Sequence, residues 1–564
     1  MKKLLLFSVL LFSLNTLTFS QSLETGIEFY QEGDYERALR IFDEFDEPLA
    51  HLFSGKSHFG LGNYLKAKHH LSLVDSSAIE VFLEARYTRA LADFQLKNFT
   101  EALDALHQIK QNAGRGTIQR EADFFYTQLA AYLTIGQRYD AFKSSNYDGV
   151  RLDLVKAAMG IVDHASANAL FKSFQRTVTD GDFFRSEIEQ IEEVLEDTAR
   201  YFERYNPNVY PEAPQGISYN IGVALPEFDF NSAEFEISQS LYLGIQIAVE
   251  NFNSDNSDKK AFISYQSTSG GASDAKSVAN DLVWNDDVDV ILGPLFSDVA
   301  VRFSELAELY EIPMLTPLAN SDSLNLDLTY TFQLNPTFSI HGTKMAQFAV
   351  RDMGFDTLAV IAEKGSLGAP SAVAFRDEAR RLGAEVVHYN VENLVARGYD
   401  ISEFTEYLNP QDTVYNYNID AVYAPFTGQV ASTLISSLLT YLEAMQTSFA
   451  ILGTEDWESV EMGSVNLPGT NIYYSESFAS ARDENTMEEF ESSYRLRFNM
   501  EPNYYAYVGY DAANVLLQTL KRVKNPAYLK EGLKNLNGFK GLITDVSFRG
   551  THINQEVKIR MVRP

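Results

Sequence analysis

Residues Asp287–Ser323 read DVDVILGPLFSDVAVRFSELAELYEIPMLTPLANSDS. Two short apolar runs, VDVILG and IPMLTP, are each stopped by a proline turn, and an amphipathic segment of helical period lies between them. Apolar runs of this length bounded by turn signals predict buried parallel strands, and the segment between them predicts the crossover helix. After each turn come small hydrogen-bonding side chains, which is the composition of a loop rather than of a core.

The same alternation extends outward on both sides. Upstream, YNIGVALP (Tyr219–Pro226) and AFISYQS predict strands, while ISQSLYLGIQIAVENFN and ASDAKSVANDLVW predict helices. Downstream, helix-period GTKMAQFAVRDMG precedes strand TLAVIA, helix PSAVAFRDEARRLG, strands EVVHYNV and IDAVYAPF, helix GQVASTLISSLLTYLEAM and strand SFAILGT. Such alternation implies parallel sheets covered by helices on both faces, and two such sheets predict two α/β lobes.

At 564 residues the chain exceeds one core and predicts three or four folding units. Its opening, MKKLLLFSVLLFSLNTLTFS, has the lysines, short apolar run and small residues of a cleaved export signal, so the mature chain is expected to start near Gln21. The apolar run is too short to span a bilayer, and no later segment qualifies. The chain has no cysteine, which excludes disulfides, thiol nucleophiles, cysteine-zinc sites and a lipidated cysteine. An exported, periplasmic, unanchored protein is expected, touching membrane only through a partner. A net charge of −31 repels phosphate backbones and excludes nucleic acid as a partner class.

Between residues 21 and 145 three segments repeat loosely: EGDYERALRIF, GLGNYLKAKHHL and QLKNFTEALDAL. Tyr35, Tyr64 and Phe99 are each followed three residues later by Ala38, Ala67 and Ala102, a period belonging to helical hairpins. The small residue lets two helices approach, and the aromatic fills the space beside the turn. The segment resembles tetratricopeptide repeats, and a fourth, degenerate copy falls at Leu133–Ser145. Adjacent His69 and His70 diverge by about 100° on a helix, which argues against a shared metal and for solvated rings. A helical extension over 146–205 carries Ile188, Ile191, Val194 and Leu195 on one stripe, and NPNVYPEAPQG (206–216) reads as a linker.

From about Ser218 to Arg563, the motifs YNIGVALPEF, VDVILGPLFSDVAVRFSELAELYEIPMLTPLANSDSL, YTFQLNPTFSIHGTKMAQFAVRDMGFDTLAVI, YVGYDAANVLLQTL and FKGLITDVSFRGTHI resemble, in order and spacing, the type I periplasmic binding proteins, especially the leucine/isoleucine/valine-binding group. The resemblance implies two Rossmann-like lobes joined by three crossovers and closing on a ligand in the cleft. Lobe one would comprise about 217–334 and 474–545, and lobe two about 335–473 and 546–564. It further implies that the loop at Ser297 meets a carboxylate, that Leu318, Asn320 and Ser321 face an ammonium, and that Glu455 pairs with that ammonium. Trp457 would wall the cleft, and the family's second-lobe aromatic falls at Phe426 or at the neighbouring Thr427. Leu318, Asn320 and Leu367 depart from the family's residues at their positions. Each site residue also has a plain structural use: Ser297 as a helix cap, Asn320 as a turn residue, Glu455 as a surface acid, Trp457 in lobe packing.

No G-x-S-x-G, G-x-x-x-x-G-K-[ST], H-E-x-x-H or G-x-G-x-x-G pattern occurs, and NSDNSDKK lacks the glycine and terminal glutamate of a calcium loop. The expectation is a protein that is not an enzyme, needs no cofactor or metal, and uses its repeats to dock a protein partner. Two functions remain open. One is a solute-binding protein for an amino acid or peptide-like ligand. The other is an envelope regulator without a diffusible ligand, since the domain order also resembles that of the outer-membrane activator of penicillin-binding proteins.

Overall fold

The computed structural model of the chain describes residues 20–112, 116–199, 201, 210–214, 217–227, 230, 233–256, 259–268, 271–409, 418–459, 467, 469–478 and 484–562. The leader, residues 1–19, lies outside them, as do residues 206–209, 215 and 216 of the expected linker. The chain divides into two compact units, one reaching to Ile217 and including Val523–Tyr528, the other comprising Ser218–Arg522 and the chain from Leu529.

The first unit is helical. Its described helices are α1 (Ser20–Glu32), α2 (Tyr35–Phe42), α3 (Pro48–Gly60), α4 (Tyr64–Ser72), α5 (Ile79–Gln95), α6 (Phe99–Asn112), α7 (Thr117–Tyr132), α8 (Ile135–Ser144), α9 (Asp148–Ala158), α10 (His164–Thr177) and α11 (Arg185–Glu196). The repeat aromatics Tyr35, Tyr64 and Phe99 are the first residues of α2, α4 and α6, and Ala38, Ala67 and Ala102 are fully buried. Each aromatic packs on another five residues earlier, with ring centroids 5.6 Å apart for Tyr30–Tyr35, 5.3 Å for Phe59–Tyr64 and 6.0 Å for Phe94–Phe99. This pairing staples each hairpin across its turn. Successive hairpins also meet closely, because a Cβ at Gly60 would come 2.6 Å from the Tyr35 ring.

The fourth copy keeps the hairpin and loses the register. Thr134 caps α8 through a capping box with Gln137, so the helix starts ahead of Tyr139, which is mid-helix and exposed. His69 is exposed as expected, but His70 is half-buried with its ring 5.1 Å from that of His58. The solvated reading of His70 is therefore corrected: α3 covers it. Ile191, Val194 and Leu195 of α11 are buried. Of the expected linker, Tyr210–Pro214 forms neither helix nor strand but is held, Ala213 N–H donating to Lys524 O at 3.0 Å and Asn525 Nδ2 to Pro211 O at 2.9 Å.

The second unit is α/β. The chain runs β1 (Tyr219–Leu225), α12 (Ala233–Asp255), β2 (Ala261–Ser267), α13 (Ala275–Asn280), β3 (Val290–Leu292), α14 (Ser297–Leu309), β4 (Met314–Thr316) and β5 (Thr331–Gln333). These strands form an all-parallel sheet of order β2-β1-β3-β4-β5. Next come α15 (Phe338–Gln347), β6 (Thr357–Glu363), α16 (Gly368–Arg381), β7 (Glu385–Glu392), α17 (Ser402–Tyr407), β8 (Ala421–Tyr423), α18 (Ala431–Met445), β9 (Ala450–Thr454) and β10 (Ile472–Glu476). Helices α19 (Glu484–Phe498), α20 (Tyr504–Val523) and α21 (Leu529–Lys534) and the hairpin β11 (Phe539–Lys540) and β12 (Asp545–Val546) follow, then β13 (Lys558–Met561). The second sheet has order β13-β10-β9-β8-β6-β7, with β13 alone antiparallel. Central strands are apolar on both faces because helices cover both sides; β3, β4 and β8 are buried at every position.

Residues of α12, α20, α21 and the β11–β12 hairpin share one core with the first sheet, which makes lobe one; α15–α18 pack on the second sheet, lobe two. The chain thus passes between lobes three times: before α15, after β10 and before β13. Within each lobe two helices cross backbone to backbone. A Cβ at Gly509 would lie 2.0 Å from Leu241 O, and one at Gly342 would lie 2.1 Å from Ser371 O. The passages are knit by amides. Asn554 Nδ2 donates to Leu334 O (3.0 Å) and Asp545 O (2.9 Å), its Oδ1 accepts from Ser547 and Glu556 N–H, and its own N–H donates to Gln333 O. Gln333 N–H in turn donates to His552 O at 2.9 Å.

Candidate functional site

In both sheets β1 or β6 is flanked by the next strand on one side and the strand after that on the other, so each lobe has a topological switch point. In such sheets ligands meet the loops beyond the carboxyl ends of the strands. Ser297 follows β3, Leu318, Asn320 and Ser321 follow β4, Phe426 follows β8, and Glu455 and Trp457 follow β9.

The loop after β3 is built on Gly293, whose φ of +121° and 2.2 Å approach of a would-be Cβ to Ala224 O admit only glycine. Helix α14 begins at Ser297 itself, one residue earlier than the sequence suggests, and Ser297 makes no side-chain cap. Ser297 as a residue is half-buried at the helix N-terminus. That end carries free N–H groups and partial positive charge, a setting suited to a carboxylate.

The loop after β4 differs from expectation. Thr316 Oγ1 accepts from Ala319 N–H at 3.1 Å, which tightens the turn. Leu318 O accepts from Asn335 Nδ2 at 3.0 Å, and Ala319 O and Ser321 O accept from Gln333 Nε2 at 3.3 and 3.0 Å. The carbonyls of this loop are thus engaged by amides of β5 and of the segment just beyond it. Ser321 caps the following 3-10 turn, accepting from Ser323 N–H. Leu318 packs against the lobe-one core. Asn320 alone in this loop keeps a half-buried side chain without a hydrogen bond among the described residues.

Phe426 and Trp457 are corrected. Both are fully buried in the lobe-two core, so neither presents surface to a cleft. Trp457 Nε1 donates to Ala424 O at 2.8 Å, and its ring fills the space a Cβ at Gly453 would need. The tryptophan ties the β8 and β9 loops together. Thr427 beside Phe426 accepts from Gly368 N–H at 3.1 Å, and Gly368 approaches Pro425 O too closely for any Cβ. Leu367 is exposed next to it.

Glu455 is solvent-exposed, although the protein crowded around it, then the charges of Asp456, Glu476 and Glu458, push its carboxyl up to about 7. Asp456 and Glu476 are also raised, each mainly by burial, although Arg560 pairs with Glu476. The Glu455 charge reaches across to lobe one, where burial first and Glu455 next raise the Tyr504 phenol at the start of α20. Tyr504 carried no sequence signal beyond lying just ahead of the YVGYDAANVLLQTL motif. His341 of α15 was also unanticipated. It is buried, with Nδ1 2.9 Å from Ser475 Oγ and Nε2 2.8 Å from Ser477 Oγ, so it holds the second passage between lobes; burial pushes its pKa down to about 4. Among the described residues no group of three or more histidine or acidic side chains could hold a metal ion, and no helix is long and apolar enough to cross a membrane.

This geometry has counterparts of known structure. A protein of Rhodospirillum rubrum described as a branched-chain amino acid ABC transporter matches with a TM-score of 0.50 at 20% identity, over 62% of this chain and 98% of its own. A branched-chain amino acid substrate-binding protein of Streptococcus pneumoniae, in complex with isoleucine, is 19% identical over 62% of this chain and 100% of its own, with a TM-score of 0.40. A solute-binding protein of Rhodopseudomonas palustris BisB5, in complex with 3,4-dihydroxybenzoic acid, is 15% identical over 61% and 92%, with a TM-score of 0.42. At such identities the first of these likenesses speaks for the fold alone. The model of the periplasmic binding proteins matches residues 228–563, which is more than half of the sequence, and the chain belongs to that family.

Proposed function

We propose that the second unit binds a small solute bearing an ammonium group, an amino acid or a short peptide, by closing its two lobes, and that the helical repeats dock a protein partner in the periplasm. Glu455 carries this reading. This exposed carboxyl, crowded by Asp456, Glu476 and Glu458 and raised to about 7, is one whose ionised form a ligand cation would favour. Ser297 at the start of α14 is placed for the ligand's carboxylate, and Asn320 offers an uncommitted amide. A ligand bridging both lobes favours the closed form by its differential affinity, and closure is what a transporter or sensor subunit would read. Binding, not catalysis, is the role.

The test is thermal unfolding of the full chain against amino acids, short peptides and muropeptides. A ligand at about 1,000 times its dissociation constant stabilises by about 4 kcal/mol. The shift should vanish in Glu455→Ala. The second reading, an envelope scaffold without a diffusible ligand, is favoured by the β4 loop, whose carbonyls are already engaged by Gln333 and Asn335. No shift across the panel would support it.

A further inference from the structure

We propose that the outer helical layer of lobe one carries a second binding site, for a neutral oligosaccharide. Helices α12, α19 and α20 line an open groove of about 1030 Å³. None of its lining residues belongs to the loops beyond the strand ends, so it is separate from the candidate cleft. Its volume is at the upper end of small-ligand sites.

The chemistry of the lining selects the guest. In a strongly acidic chain this groove is walled mostly by uncharged amides and hydroxyls, among them Asn251, Ser493, Asn514 and Gln518. Asn251 and Gln518 are exposed and make no hydrogen bond among the described residues, while Asn514 spends its Nδ2 on Tyr510 O and keeps its Oδ1. A carboxamide donates and accepts from adjacent atoms, which matches the paired hydroxyls or acetamido groups of a sugar ring. Half-buried Tyr510 and Phe252 line the groove, and Tyr510 is backed by Phe490 of the lobe-one core, with ring centroids 4.7 Å apart. Aromatic faces take the C–H face of a pyranose as they take other flat apolar surfaces. An anionic guest is disfavoured by Asp255, Glu488 and Glu489, which outnumber Lys521 on the wall. A peptide would want apolar side-chain pockets or a sheet edge to extend. Three helices build this groove, so it offers no sheet edge, and polar side chains outnumber apolar ones along it.

The test is isothermal titration of the full chain with maltotetraose and chitotetraose, repeated on Gln518→Ala, an exposed position, and Tyr510→Leu, which keeps apolar volume but removes the ring. Binding of either tetrasaccharide is expected, weakened about fivefold in Gln518→Ala and about tenfold in Tyr510→Leu, in line with the loss of one hydrogen bond and of one stacking face. Glu455→Ala should leave it unchanged. Binding of neither sugar, binding indifferent to both groove variants, binding lost in Glu455→Ala, or displacement of the sugar by tetra-alanine would each overturn the proposal. Retained melting temperatures in both variants separate loss of the site from loss of the fold.

Discussion

Acidification should strip lobe two of stability through His341. In the folded chain its pKa is pushed down to about 4 by burial, against an ordinary 6.5. The group's folded value lies below its unfolded one. The unfolded chain therefore takes up the proton first, and the stabilisation is full above pH 6.5 and lost as pH falls toward 4. The shift is about 2.5 pH units, worth about 3 kcal/mol in full, of which about 2.5 kcal/mol is lost between pH 7 and pH 4.5. Of the chain's two tryptophans, Trp457 is buried in lobe two and Trp284 is exposed, so the change in Trp457 fluorescence on denaturation follows the lobe that holds His341. Midpoints measured at pH 7 and 4.5 for the natural chain and for His341→Gln, which has no charge to gain, isolate this residue from the carboxylates that titrate in the same range. The natural chain should lose about 2.5 kcal/mol more than the variant. Equal losses would show that His341 titrates normally, and that the seal formed by Ser475 and Ser477 opens in solution.

Three further outcomes are expected. Glu455→Gln removes a carboxyl whose folded pKa is raised, so its stabilising effect should appear as pH rises through 7 and be absent at pH 4, as read from melting temperatures at pH 4 and 8; solvent contact keeps the effect small. Asn554→Leu leaves Ser547 and Glu556 N–H and two carbonyls without their partner, at a cost of about 3 kcal/mol in urea unfolding. Gly509→Ala forces α12 and α20 apart against a 2.0 Å approach and should cost about 3 kcal/mol, whereas Gly354→Ala, where nothing lies within 4 Å but φ is +73°, should cost about 1 kcal/mol.

The alternation of strand and helix was legible because parallel strands buried on both faces must be continuous apolar runs, and β1, β3, β4, β6 and β9 all announce themselves that way. The hairpin aromatics were legible for a similar reason, since each stands at a fixed offset from a helix start. The short strands β5, β10 and β13 around the passages between lobes do not follow that rule. Their places are fixed by partners far along the chain, such as Gln333 by His552 and Tyr473 by Met561. The positions of the site loops followed from strand ends, but the direction of each side chain did not. Phe426 and Trp457 follow a strand as a cleft-facing aromatic would, and only the room left by Gly453 turns Trp457 inward. Nor does a sequence show which carbonyls of the β4 loop are already spoken for, because Gln333 and Asn335 reach them from the next strand and the residues just beyond it.

The arrangement of Asn554, Gln333 and His341 has a mechanical meaning. Asn554 and Gln333 bind the first and third connecting segments into one strap, while His341 clips the second to lobe two on its own. Three connections therefore behave as two pivots, and two pivots define a line. Any swing of one lobe against the other would turn about that line, and a substitution at Asn554 would part the first segment from the third.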